Sequence, residues 1–405
     1  MKLSKRVSGV TESLTLKLNA KANQMANDGR KVHNLTAGQL PFRPLTEFTD
    51  AIRSESDFLK SYQYSPVPGY PELRKKLLDY FKTSRNISLD HVEYDCIISN
   101  GGKHSLSNIF ASLIDKDDEV IIISPYWVSY PELIRLYDGV PVFVETTIYD
   151  AFVPLIESIE KAITKKTKAI IINSPNNPTG THYSDAWMKD FAAMIKKHED
   201  VIVISDEIYY ELGYYDPTPT YFYQHDPELL KRTVIVDGIS KNLACTGLRI
   251  GYTFATKELI GAMANLQGQT TSGANSLIQK ALMTFDFDHI DSFLAPIKQH
   301  LRENSAIVRD ALKEANLAKC WYQTSSAFYF MIDFSQTPVM KKFRTSENDT
   351  ADYSGQICED ILEKHGVAMV PGIAFGMANT ARISLVSQKE SFKEAIQIIV
   401  DYLCR

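Results

Sequence analysis

The chain has 405 residues, 44% of them hydrophobic and 23% charged, with a formal net charge of −5. These are the proportions of an ordinary globular protein, and they exclude a disordered, collagen-like or coiled-coil chain. The acidic balance leaves no broad positive field for nucleic acid. Apolar runs such as VIII at 120–123 and AIII at 169–172 are far too short to span a bilayer.

Residues 15–30 read as an amphipathic helix ending at Gly29, followed by the loop TAGQLPFRP. Residues 70–83 predict a helix with Pro71 in its first turn. Short apolar runs then appear at 95–99, 119–124, 140–145, 168–173, 201–205, 233–237 and 250–255, with helical stretches such as 103–114, 186–198 and 226–230 between them. That alternation predicts an α/β fold, a large domain whose mostly parallel sheet is covered by helices. Beyond Asp286 the pattern becomes α+β: a long helix at 289–315, a strand at 327–333, a helix at 353–365, strands at 367–370 and 382–385, and a last helix at 389–403. The expected division is an N-terminal arm with part of a small domain (1–45), a large domain (46–286) and a small C-terminal domain (287–405), with a mobile polar loop at 344–352.

Five cysteines, Cys96, Cys245, Cys320, Cys358 and Cys404, are widely spaced with no CxxC pair, and the nine histidines form no HExxH. Neither a metal site nor a disulfide framework is expected, and reduced thiols fit a cytoplasmic protein. The start, MKLSKRVSGVTESLTLKLNAKA, lacks the apolar core of a signal peptide.

Five of the strand-like runs end in polar or glycine clusters: NGGK, SPYW, NSPNNPTG, SDEIYY and DGISK. Open α/β sheets bind ligands beyond the carboxyl ends of their strands, so these clusters predict one shared crevice. In NGGKHS, the amides of Gly102 and Lys103 at a helix start suit a phosphate, although an ordinary tight turn explains that motif taken alone. Ile97 and His104 stand where a Walker A loop needs Gly and Ser/Thr, and no GxGxxG occurs; ATP and dinucleotides are disfavoured. Asp206 at a strand end is either a shielded carboxylate needing a cation or a plain exposed acid. Lys241, among small and apolar neighbours, is either an amine nucleophile of lowered pKa or a surface lysine. Arg249 in TGLRIGY is either paired with an anionic ligand or part of a buried structural ion pair.

Together, LTAGQLPF, YSPVPGYPELR, SNGGKHSL, SPYWVSYPE, NSPNNPTG, SDEIYY, SKNLACTGLRIGY, MVPGIAFG and ARIS resemble, in order and spacing, the fold-type I pyridoxal-phosphate (PLP) enzymes. The resemblance is to the class I/II aminotransferases, in the branch of bacterial aspartate and aromatic aminotransferases. It implies that Lys241 carries the cofactor as an aldimine and moves the substrate proton, and that Asp206 partners the pyridine nitrogen. Tyr209 and Asn177 match groups that hydrogen-bond the phenolic oxygen, and Trp127 the aromatic on the ring face. Gly102, Lys103 and Arg249 match the phosphate cup, and Tyr64 a tyrosine reaching the neighbouring subunit's phosphate in a homodimer with shared sites. Arg382 and Gly38 match the clamp on the substrate α-carboxylate, beside Trp127 and Asn177. The resemblance makes the Ser124–Pro125 and Asn177–Pro178 bonds candidates for cis peptides. The implied reaction moves an amino group from an L-amino acid, aspartate or an aromatic one, to a 2-oxo acid such as 2-oxoglutarate. A C–S β-lyase on the same scaffold is the alternative. Gly238 replaces a frequent serine, Leu248 a frequent tryptophan, and Gln39 and Leu40 change the entrance loop. For a distal substrate carboxylate, Lys17, Arg43 and Gln39 are the nearest guesses.

Overall fold

The computed structural model describes residues 4, 14–215, 217–344, 346 and 351–405. The loop expected at 344–352 lies largely outside the described residues, as do residues 1–3 and 5–13 of the arm. The strands are β1 (His33–Asn34), β2 (Tyr94–Ser99), β3 (Glu119–Ile123), β4 (Val140–Val144), β5 (Thr167–Asn173), β6 (Ile202–Asp206), β7 (Thr233–Gly238), β8 (Gly251–Thr256), β9 (Tyr329–Asp333), β10 (Val367–Ala368), β11 (Val370–Pro371) and β12 (Thr380–Ser384).

The seven-stranded sheet has the order β2-β8-β7-β6-β5-β3-β4. Only β8 runs antiparallel to its neighbours; the other pairs are parallel. Isoleucine and valine fill these strands because both faces are covered: Ile170 and Ile172 pack into one core cluster, Ile171, Ile122 and Val120 into the other. Register aligns the strand ends. Asn173 lies opposite Asp206, which lies opposite Val236; Gly238 lies opposite Gly251, which lies opposite Ser99. All the polar clusters flagged in the sequence therefore meet at one end of the sheet.

The helix Pro71–Arg85 starts with proline, whose missing N–H costs nothing in a first turn, and stops at left-handed Asn86 (φ 49°). It buries Leu73, Leu77, Phe81 and Arg85, a stripe of every fourth residue. The 226–230 segment expected as a helix is instead part of a 3-10 turn, Pro227–Arg232, capped by the Asp226 side chain; it is too short for stable α-helical bonding. Helices Thr46–Glu55, Ser129–Leu136, Ile156–Ala162, Lys257–Thr270 and Ser276–Thr284 complete the layers around the sheet and its approaches.

In the C-terminal part, β9, β12 and β11 form an antiparallel sheet, and β1 pairs in parallel with β10. The single strand expected at 367–370 is thus split between two sheets. The β1–β10 pairing ties the early chain to its end, and the helix Leu14–Asn27 packs beside it.

Candidate active site

The aligned strand ends open onto a cavity of about 320 Å³, a size suited to a small cofactor with substrate. Gly38, Gly102, Lys103, Trp127, Asn177, Asp206, Tyr209, Lys241, Arg249 and Arg382 all line it. Of the residues to which the resemblance gives a cofactor or α-carboxylate role, only Tyr64 is elsewhere: its side chain stands 93% exposed on the surface.

Asp206 ends β6 and is buried. Its Oδ2 accepts from the Tyr130 hydroxyl at 2.5 Å and its Oδ1 from the Ile208 amide at 3.3 Å. Burial pushes its pKa up to about 6, against the opposing pull of those donors and Lys241. Lys241 sits in the one-turn helix after β7, with Nζ donating to the Gly38 carbonyl at 2.6 Å. Burial and the positive charges of Arg382 and Arg249 lower its pKa to about 7, with Asp206 acting the other way.

The helix Gly102–Leu113 begins at the cavity, and its first amides have no intrahelical acceptor. Arg249 reaches the same place, its guanidinium donating to the Thr246 and Asn100 carbonyls. Glycine is required here. A Cβ on Gly251 would stand 2.4 Å from the Gly102 nitrogen, and one on Gly101 (φ +87°) would strike the Arg249 guanidinium. The serine position of relatives is closed too, because a Cβ on Gly238 would meet Gly251 Cα and the Ile250 carbonyl at 2.9 Å.

Across the cavity, Arg382 on β12 is 3% exposed and lies over the rings of Tyr329 and Phe375. Its Nη1 donates to Asn177 Oδ1 at 2.9 Å and its Nη2 to the Thr36 carbonyl at 3.1 Å, while the buried Nε has no hydrogen-bond partner among the described residues. Tyr209 and Tyr329 share a hydroxyl contact of 3.2 Å, and burial pushes the Tyr209 pKa well up. Ser124–Pro125 and Asn177–Pro178 are cis, as expected, and so is Ser174–Pro175.

Residues 30–399 match the family model described as aminotransferase class I and II. The chain belongs to the class I and II aminotransferases. It is 33% identical over its full length, and that of the relative, to an aspartate/prephenate aminotransferase of Nitrosomonas europaea. It is 34% identical to an aspartate aminotransferase of Geobacillus stearothermophilus, covering 98% of each chain. The structure of aspartate aminotransferase from Thermus thermophilus with maleate superposes with a TM-score of 0.88 at 33% identity, covering both chains fully. The chain is accordingly a PLP-dependent transaminase of fold type I.

The cavity of this aminotransferase fits PLP on its own chemistry. Free helix amides and Arg249 at one end suit a phosphate. The buried Asp206, lacking a full counter-charge, suits a protonated ring nitrogen. Lys241 offers an amine that is substantially neutral near pH 7. Further lining residues escaped the sequence reading, among them Tyr130, Asn173, Ser240 and Tyr329. Tyr130 and Asn173 stand inside SPYWVSYPE and NSPNNPTG, and Ser240 in DGISK, so a signal existed for them. Tyr329 arrives from β9, and no local pattern announces it. Of the entrance guesses, none of Lys17, Arg43 and Gln39 lines the cavity; Gln39 Oε1 accepts instead from Thr246 Oγ1 at 3.1 Å, and Leu40 is buried in the core.

Proposed function

We propose that this aminotransferase takes the amino group of L-aspartate and passes it to a 2-oxo acid, 2-oxoglutarate foremost. Charge carries the reading. The cavity lining holds four basic side chains, Lys103, Lys241, Arg249 and Arg382, and one carboxylate, Asp206, in a chain whose net charge is −5. Such an excess in a desolvated space calls for anions. Arg249 and the first helix amides serve the cofactor phosphate, and Arg382 with Gly38 the substrate α-carboxylate. Lys103 is left over. Its amine lies 5.0 Å from the Trp127 ring centroid, and burial and Arg249 lower its pKa. A second, distal carboxylate on the substrate satisfies it, which an aromatic donor does not. The names of the relatives point the same way.

PLP, when bound, supplies a conjugated ring that takes up the electron pair left at the substrate Cα. Lys241 would hold the cofactor covalently, and its free amine would be the group that carries the proton to and from Cα. Asp206, fixed by Tyr130, keeps the ring nitrogen protonated by its charge. Asn177, whose Oδ1 accepts from Arg382, would offer its Nδ2 to the phenolic oxygen, as would the Tyr209 hydroxyl. Trp127 covers the ring face.

The working unit in this proposal is a homodimer. Phe58, Leu59, Tyr62 and Tyr64 are 56%, 75%, 65% and 93% exposed in one short segment, an apolar patch that a second copy covers. Tyr64 then reaches the neighbouring phosphate site. We also propose the division 1–45, 46–286 and 287–405, with the β1–β10 pairing in its support, and a cytoplasmic location. Among the described residues no helix is long and apolar enough to cross a membrane, and four of the five cysteines are buried.

Steady-state kinetics of Lys103→Met test the substrate. Loss of a charge-assisted contact costs about 1.5–3 kcal/mol, so KM for aspartate and 2-oxoglutarate rises roughly 10- to 100-fold. Values for phenylalanine stay within about threefold, the loss of well under one such contact. An equal loss for both donor classes refutes the dicarboxylate reading.

A further inference from the structure

Behind β6 and β7, on the side away from the cavity, one guanidinium holds two carboxylates. Arg85 is 1% exposed. Its Nε donates to Glu207 Oε2 and its Nη2 to Asp237 Oδ2, each at 3.1 Å. The Tyr210 ring lies over it, 3.4 Å from ring centroid to Cζ, and Nη1 donates to Ser84 Oγ at 3.0 Å. Glu207 Oε1 accepts from the Ser205 and Tyr223 hydroxyls, both at 2.8 Å, and Asp237 Oδ1 from the Gly238 amide at 2.7 Å. A third buried carboxylate, Glu211, accepts from Tyr80 at 3.0 Å and from Asn242 at 3.3 Å.

None of Arg85, Glu207, Asp237 and Glu211 lines the cavity, yet each carboxylate is close in sequence to residues that do. Glu207 follows Asp206, and strand alternation turns the two to opposite faces. Asp237 lies between Val236 and the Gly238–Lys241 turn, and Asn242 follows Lys241. The β6–β7 ladder ends at the pair Asp206–Val236. Past that point the Glu207 amide bonds the Val236 carbonyl, and the Arg85 fork is the next link between the strands.

We propose that Arg85 is a positioning residue that fixes the spacing between Asp206 and Lys241 by strapping together the ends of β6 and β7. Packing alone does not account for it. The stripe Leu73, Leu77, Phe81 leads to position 85, where an apolar side chain continues the core without desolvating an arginine and several carboxylates. Burial and the neighbouring Glu211 push the Asp237 carboxyl well above its ordinary range despite Arg85, so the cluster carries an electrostatic cost. A rigid two-pronged link offsets that cost in function.

The proposal rests on the assignment of Asp206 and Lys241 made above. The test compares the PLP-loaded parent with Arg85→Lys and with the triple variant Arg85→Met/Glu207→Gln/Asp237→Asn, which removes the fork together with both carboxylates it holds and leaves Glu211 its bonds to Tyr80 and Asn242. Three readouts are taken: the thermal midpoint, the pH titration of the cofactor's long-wavelength absorbance band, and kcat against KM for aspartate. That band titrates under Lys241, Asp206, Tyr209, Arg249 and Arg382, all of which the variants retain. The triple variant is expected to fold, with KM within about twofold, kcat down roughly 10- to 100-fold and a shifted titration midpoint, because small misplacements of reacting groups cost that much. Arg85→Lys, which keeps the charge without the fork, falls between. Parent kcat and parent midpoint in the triple variant, whatever its thermal midpoint, overturn the strap. Should the triple variant not fold, the same parent values in Arg85→Lys overturn it. A parent protein without the band overturns the Lys241 assignment, and the strap with it.

Discussion

Arg382→Met separates binding from stability. In the proposed role, two parallel charge-assisted hydrogen bonds run from the guanidinium to the substrate α-carboxylate. Each is worth about 1.5–3 kcal/mol, and the pair, after exchange with water, roughly 3–4 kcal/mol. At 1.4 kcal/mol per decade this predicts binding weakened about 100- to 1,000-fold. Stability moves differently. Arg382 is 3% exposed, has no carboxylate partner among the described residues, and burial lowers its pKa. Its hydrogen bonds go to Asn177 and the Thr36 carbonyl, and its Nε has none among the described residues. Methionine of similar length removes a desolvated charge while keeping contact with Tyr329 and Phe375. The thermal midpoint without substrate is therefore expected to hold or to rise by about 1–3 °C, a gain on the order of 1 kcal/mol. The assay is a titration of the PLP-loaded protein with maleate, a dicarboxylate with no amino group to transfer, followed by absorbance and paired with calorimetry. Unchanged maleate affinity, or a midpoint lowered by more than about 5 °C, a loss of well over 1 kcal/mol, refutes the reasoning and makes Arg382 structural.

The remaining expectations concern cofactor loading. The rate at which PLP-free protein takes up PLP should rise with pH through about 7, following the neutral fraction of Lys241; stopped-flow absorbance at a series of pH values reads it, and a rate still climbing beyond pH 9 would show an ordinary lysine. The same shift sets a stability sign. The folded pKa lies below the unfolded 10.5, so the buried charge penalises the folded state below pH 7, and the penalty fades as pH rises toward 10.5. Lys241→Met should accordingly stabilise the PLP-free protein more at pH 6 than at pH 10, as thermal midpoints across pH will record. Gly251→Ala forces a Cβ onto the Gly101–Gly102 backbone; equilibrium dialysis should show PLP affinity down about tenfold or more, the loss of roughly one charge-assisted contact, and unchanged affinity would place the phosphate elsewhere. Tyr64→Phe should weaken PLP binding only at protein concentrations where the dimer persists, and a loss equal in dilute monomer would contradict a shared site.

The sheet was legible because its central strands β3, β5, β6 and β7 are buried on both faces and read as isoleucine and valine runs. The direction of β8 was not: the run at 250–255 looks like its neighbours, and only its re-entry through a one-turn helix at Ile239–Asn242 and a 3-10 turn reverses it. The site was legible wherever chemistry sits at a strand end, as for Asp206 and Lys241. Tyr329, which lines the cavity, and the Thr36 carbonyl, which accepts from Arg382, come from distant parts of the chain, and a linear pattern does not encode that meeting. Lys103 was read for its amide, whereas the surplus of positive charge that gives its amine a purpose appears only when four basic side chains share one space. Arg85 lies beyond the helix expected at 70–83; its burial follows from the seam spacing of Leu73, Leu77 and Phe81, which the sequence carries.

The most direct test of the account is the absorbance of the purified protein with added PLP, before and after L-aspartate. A long-wavelength band should form, vanish in Lys241→Ala, convert to the shorter-wavelength absorbance of pyridoxamine phosphate on adding aspartate, and return with 2-oxoglutarate. A band that aspartate and glutamate both leave unchanged would contradict the dicarboxylate amino-group transfer proposed for this cavity.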